Sequence, residues 1–228
     1  MPEPVEDADR RLTPKGRATR DRIVQAAAEL IVGEGLSALN MDTLRKAASV
    51  SGSQLSHYFA DKQTLIGAVI DHQVGVVLDF HRQPRLGRLD SFEDFERWID
   101  LNMRALRRIE FAYTPTYHGL VGQLAKTDEV TRARLAAGYG RWVDLFETAL
   151  ASMRDNGTLV PEADPRRLAL VIVGAHQAGG TMAFVYREAW PHADALRFAV
   201  NYVRMFATDP AERTPRPPRR PRRRPSVV

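Results

Sequence analysis

Between Val50 and Lys62 the chain sets Ser51, Ser53, Gln54, Ser56, His57, Tyr58 and Lys62 among the large apolar residues Val50, Leu55 and Phe59. At about 100° per residue, Leu55 and Phe59 fall on one side of a helix. Ser53 and His57 point almost opposite, with Gln54 and Ser56 flanking them. A short, polar, uncharged face of this kind suits hydrogen bonding to base edges in a major groove. Ser51 can cap the helix, and Gln54, three residues on, can reach back to complete a capping box. Catalytic sets are missing by contrast: there is no GxSxG, no HExxH and no phosphate-cradling loop. With no cysteine, thiolate nucleophiles, thiolate metal sites and disulfides are excluded. The carboxylates are spread among arginines as solvated faces, so the chain is read as a non-enzyme with no metal and no cofactor.

The elements that must position this face are helices. Ile23, Ala26, Ala27, Leu30 and Ile31 repeat at helical spacing and predict a first helix after Thr19, ended by Gly33 and Gly35. Asn40 caps a second helix running to about Ala48, and a tight turn leads into the segment above. Asp61 opens a long fourth helix. Ser91 opens another, to about Phe111, and residues 128–155 form a long one that stops at Asn156-Gly157. Asp164-Pro165 is a strong helix start. Leu196, Ala199, Val200, Val203 and Phe206 stripe a last helix over 192–207. No stretch alternates with period two, so the expected fold class is all-α.

Three short helices with a tight turn between two of them suggest a helix-turn-helix. The run "MDTLRKAASVSGSQLSHYFADKQTLIGAVI" (41–70) resembles the DNA-binding core of TetR-type transcriptional repressors, most specifically in the Val-Ser-x-x-x-Leu-x-x-Tyr-Phe-x-x-Lys pattern of 50–62. Residues 157–180 are similar to the family's weaker C-terminal pattern. The chain departs from the family at Arg45 and Ser49, where alanine and glycine are usual around the turn, and at Ser56, where tyrosine is frequent. A left-handed Ser49 would cost on the order of 1 kcal/mol. The resemblance implies Ser53, Gln54 and His57 as base readers. It implies Ser51, Ser56, Tyr58 and Lys62 as phosphate contacts, supported by Thr43 and Arg45. Phosphate contacts position the protein and base contacts specify sequence. One module reads few base pairs, so specificity implies a homodimer on a near-palindromic operator.

The resemblance divides the chain into an N-terminal arm (1–14), the helix-turn-helix domain (15–65), a regulatory and dimerisation domain (66–208) and an Arg/Pro-rich tail (209–228). The arm and the tail are expected to be disordered. The tail carries seven arginines against two acids, which accounts for the whole net charge of +5. Residues 10–70 hold a second positive excess, nine basic against five acidic. Residues 168–186 contain no formal charge over a length that could span a membrane. His176 and Gln177 at their centre, with Gly174, Gly179 and Gly180, favour a helix buried on most sides instead, with no membrane partner. Paired with 192–207, residues 164–188 resemble the family's dimer bundle. Trp98, Met103, Tyr117, His118, Trp142 and His176 are the candidate lining of a small-molecule cavity whose filling shifts the spacing of the DNA-binding heads. The function implied is a cytoplasmic, nucleoid-associated, ligand-responsive repressor. The alternative is a helical protein-interaction module whose DNA binding is secondary or nonspecific.

Overall fold

The structure, a computed structural model, describes residues 12–86, 88–111, 117–126 and 128–216, and leaves the side chains of Tyr117, His118 and Gln123 outside that set. Among the described residues there are α-helices and short 3₁₀ turns but no strand, only one antiparallel bridge between Leu159 and Ala207. The all-α expectation holds. The chain forms two compact units, one of residues up to 79 with 115–140, the other of 80–114 with 141 onward.

The first unit begins with α1 (Pro14–Glu34). It starts earlier than the apolar spacing predicts. Thr13 accepts a hydrogen bond from Gly16 N–H at 3.1 Å, and Pro14 occupies the first helical position, where its missing N–H is harmless. Gly35, with φ of 93°, ends the helix. α2 (Met41–Ala47) follows, with Asn40 accepting from Thr43 N–H at 2.9 Å, and then α3 (Gly52–Tyr58). α4 (Lys62–His81) opens at Asp61, which accepts from Thr64 N–H at 2.7 Å. Leu65, Ile66, Val69, Ile70 and Val74 are buried along it. The unit also holds α6 (Tyr117–Leu124) and the first half of α7 (Glu129–Asp155). Asp128 caps α7 by accepting from Thr131 N–H at 2.8 Å, and Arg134 on α7 donates to Asp71 on α4 at 2.6 Å. Gly67 makes room for that guanidinium: a Cβ there would lie 2.2 Å from Arg134 Nη1.

The second unit contains α5 (Phe92–Arg108), the end of α7, α8 (Pro165–Tyr186) and α9 (Trp190–Arg204). α5 stops three residues before the expected Phe111, followed at one residue's remove by Glu110 and Phe111 with positive φ of 50° and 55°. α8 packs closely on α9 at Gly179, where a Cβ would come 2.7 Å from Ala195 Cβ. α8 is long and apolar enough to cross a membrane by composition, with mean hydropathy 1.6. It is not buried on most sides: Leu170, Met182, Val185 and Tyr186 are exposed. Its buried residues are Leu168, Ala169, Ile172, Val173, Gly179 and Ala183, with Pro165 at its start.

The span after Thr208 is more ordered than its composition suggests. Residues Pro210–Arg213 make a 3₁₀ turn capped by Asp209, and Arg216 exchanges two hydrogen bonds of 3.1 Å with the Asn201 side chain. Residues 1–11 of the arm and 217–228 of the tail lie outside the described residues.

Candidate nucleic-acid interface

The turn that presents α3 is a complete helix C-cap. Ser49 N–H bonds the Lys46 carbonyl at 3.2 Å and Val50 N–H bonds the Arg45 carbonyl at 3.1 Å, the paired bonds of a Schellman motif. The motif needs one left-handed residue, and Ser49 supplies it with φ of 52°. Glycine would do so without steric penalty. Arg22 on α1 closes the turn from outside, donating Nε to the Ala48 carbonyl at 2.9 Å. Buried Val50, Leu55 and Phe59 hold α3 from below, and Arg20 lies over the Phe59 ring at 5.3 Å.

The capping box at the start of α3 is formed in both directions. Ser51 Oγ accepts from Gln54 N–H at 3.1 Å, and Gln54 Oε1 accepts from Ser51 N–H at 2.9 Å. The Ser51 and Ser53 hydroxyls share a further bond of 2.9 Å. Ser51, Ser53, Gln54, Ser56 and His57 are exposed; Tyr58 is half-buried, its ring edge-on to His57 with centroids 5.1 Å apart. Lys62 is exposed at the start of α4, and Thr43 and Arg45 are half-buried on α2. Arg45 lies 3.9 Å from Asp42, a loose surface pair that leaves its charge largely to solvent. The Asp61 carboxyl, beside Lys62, is held below its ordinary range first by the Thr64 N–H and then by the Thr64 hydroxyl. α3 itself carries no carboxylate, so its exposed face opposes no polyanion.

In the second unit Trp98, Trp142 and His176 come together. The His176 ring lies 4.9 Å from Trp142 and 5.9 Å from Trp98, and its Nε2 is 2.9 Å from Asn102 Oδ1. His81, Phe146 and His192 complete the cluster, His192 with its ring 4.6 Å from His176. Both indole N–H groups are buried without a hydrogen-bond partner. Met103 is buried on α5, and the side chains of Tyr117 and His118 lie outside the described residues. His81, Asn102 and His192 are members that sequence reasoning missed: each is one polar residue among several on its helix, with no local signal of convergence. Among the described residues no three of His, Asp and Glu converge to hold a metal.

α8 and α9 present a further feature: Leu170, Met182, Val185 and Tyr186 on α8, Phe198 and Tyr202 on α9, and Met205 just after it are large apolar side chains left exposed, Phe198 73%. Singly scattered apolar residues are ordinary on a surface, but seven on two helices packed together call for a cover.

The sequence profile described as "Bacterial regulatory proteins, tetR family" matches residues 23–69, which contain the turn and α3. No curated protein matches the chain by sequence. Among solved structures it is similar to regulatory protein TetR from Rhodobacter sphaeroides, with 18% identity, 81% of this chain and 98% of that one covered, and a TM-score of 0.69. A TetR transcriptional regulator from Chloroflexus aurantiacus is 21% identical over 84% of this chain and 96% of that one, also with a TM-score of 0.69. The reduced form of E. coli NemR is 19% identical over 82% and 97%, with a TM-score of 0.64. At these identities the likeness is one of fold.

Proposed function

We propose that the chain, whose residues 23–69 match the tetR family of bacterial regulatory proteins, is a homodimeric, cytoplasmic repressor released from its operator by a small molecule. The observation that carries the reading is α3: seven residues, started by a two-way capping box, clamped from below, with Ser53, Gln54 and His57 turned to solvent and no acid among them. Rigid presentation matters because a base contact has value only if its donors and acceptors arrive already oriented. Ser53, Gln54 and His57 read bases. Ser51, Ser56, Tyr58 and Lys62, with Thr43 and Arg45, hold phosphates.

Dimerisation uses the apolar outer surface of α8 and α9, within residues 164–188 and 192–207, which explains why a helix of membrane-like hydropathy is only one-third buried in one protomer. Two copies present two recognition helices, so the operator is near-palindromic. The ligand enters the cluster of Trp98, Trp142 and His176. Two buried indole donors without acceptors each cost about 1–3 kcal/mol, which a ligand bearing carbonyl or carboxylate oxygens recovers. Release requires that this ligand bind the DNA-incompetent state better than the competent one.

Selection of bound sequences from a random DNA pool, followed by a screen of acceptor-bearing compounds for release, tests the reading. A palindromic consensus bound by a dimer is the expected result. Salt-steep binding with no sequence preference would replace it with the interaction-module alternative.

A further inference from the structure

The capping box at Ser51 occupies only one end of the Gln54 amide. The backbone N–H of Ser51 needs an acceptor, so the atom 2.9 Å from it is the carbonyl oxygen Oε1, and the amide nitrogen Nε2 is fixed at the other end. No hydrogen bond engages that nitrogen among the described residues, and the side chain is exposed in the first turn of α3, the part of a recognition helix that meets base edges. We propose that Gln54 reads DNA as a donor only: with Oε1 retained by its own helix cap, its Nε2 hydrogens contact a purine in the major groove without choosing adenine.

The chemistry behind this is a division of one side chain. A free glutamine recognises adenine bidentately, donating to N7 and accepting from the N6 amino group. The second half of that recognition requires Oε1 to face the base edge beside Nε2, and here Oε1 is turned back onto the Ser51 N–H, so the two ends of the amide do not face the base together. Freeing it would leave Ser51 N–H unpartnered and dissolve half of the box that starts a seven-residue helix. The donor half remains. Adenine and guanine both present N7, and guanine adds O6 as a second acceptor. Gln54 therefore specifies a purine, with guanine at least as good as adenine. Ser53 is restrained in the same way, since its hydroxyl is shared with Ser51.

This inference rests on the DNA-binding reading, and the experiment separates the two. Gln54→Glu keeps the cap, because a glutamate at this position accepts from the same N–H, but removes both donor hydrogens. The wild-type chain and this variant are each put through selection from a random DNA pool, and the base position whose selection changes between them is the one Gln54 reads. The expected wild-type result there is a purine without adenine preference. Replacing it with a 7-deazapurine should weaken wild-type binding by about tenfold, as for the loss of one hydrogen bond. The variant, with its thermal midpoint kept, should lose the purine preference and ignore the 7-deaza change. Strict adenine selection by the wild type would overturn the inference, because it requires Oε1. Uniform weakening of all sequences by Gln54→Glu, with no 7-deaza effect on the wild type, would also overturn it and make Gln54 a phosphate contact. A wild-type chain that selects no sequence would sink the regulator reading itself. A 7-deazapurine scan through every purine of the wild-type consensus needs no variant, and a scan in which the only sensitive positions are strict adenines would overturn the inference even if the variant fails to fold.

Discussion

Arg22 on α1 donates its Nε to the carbonyl oxygen of Ala48 at 2.9 Å, which ties the first helix to the turn between α2 and α3. Ala48 is the last residue before the left-handed Ser49, so one guanidinium holds the point at which the chain changes direction. Replacing Arg22 with methionine keeps most of the aliphatic packing and removes the donor. Stability should fall by about 1 kcal/mol, the usual worth of such a bond, measurable by urea denaturation. Operator affinity should fall further than stability alone explains, because α3 then arrives less well oriented.

Ser49 itself is a residue that the turn tolerates rather than prefers. Its φ of 52° places Cβ near the following carbonyl, and its N–H still makes the bond to Lys46. Ser49→Gly should stabilise the chain by about 1 kcal/mol, less whatever glycine loses by loosening the unfolded state. A β-branched residue makes the left-handed conformation worse, so Ser49→Val should destabilise. If both changes move the denaturation midpoint the same way, backbone strain is not what governs this position.

The proposed base and phosphate contacts can be separated at His57 and Lys62. His57 lies on the exposed face of α3 with Ser53, and Lys62 stands at the start of the next helix beside the cap Asp61. His57→Ala should relax selection at one or two operator positions. Lys62→Ala should weaken every site alike and lower the salt slope of binding by about one. Binding isotherms over a salt series on matched and mismatched operators separate these outcomes, and equal effects from both substitutions would refute the division.

Phe198, the most exposed large apolar side chain on α9, lies within the surface proposed to dimerise. A charge there must be desolvated twice, once in each protomer. Phe198→Asp should therefore convert the dimer to a monomer in sedimentation at micromolar concentration while far-UV circular dichroism stays helical. Full-operator affinity should fall steeply and half-site affinity little, since each head remains intact. A dimer that persists in this variant would move the interface elsewhere.

What the sequence revealed was local. Asn40, the Ser51–Gln54 box, Asp61, Ser91 and Asp164 are legible because a cap and the N–H it satisfies lie two or three residues apart. The start of α1 was missed because Thr13 and Pro14 precede a charged stretch, and the apolar period begins only at Ile23. The Arg22–Ala48 bond joins residues 26 apart, and His81, Asn102, His176 and His192 meet only once four helices have packed. Composition failed at 209–216 for the same reason: it contains no core residues, and its order comes from partners on distant helices.

Those partners change how the arginine-rich tail must be tested. Arg204, 1% exposed and 4.4 Å over the Phe92 ring, pairs with Glu212 and lies 3.4 Å from Glu96, which also meets Arg197 at 3.2 Å. Cutting the chain after Thr208 removes Glu212 together with the Asn201–Arg216 bonds, and leaves Arg204 with half its counter-charge. That deletion should cost about 1–3 kcal/mol and confound any DNA measurement. Cutting after Arg216 keeps the latch and still removes five arginines. The shorter deletion should leave the thermal midpoint unchanged, flatten the salt dependence of DNA binding, and preserve operator preference, because counterion release scales with the cations brought to the phosphates and carries no sequence information. Titrations of both deletions on specific and scrambled duplexes between low and physiological salt give the comparison. A changed consensus in the shorter deletion would mean that the tail reads bases, and an unchanged salt slope would mean that it does not touch DNA at all.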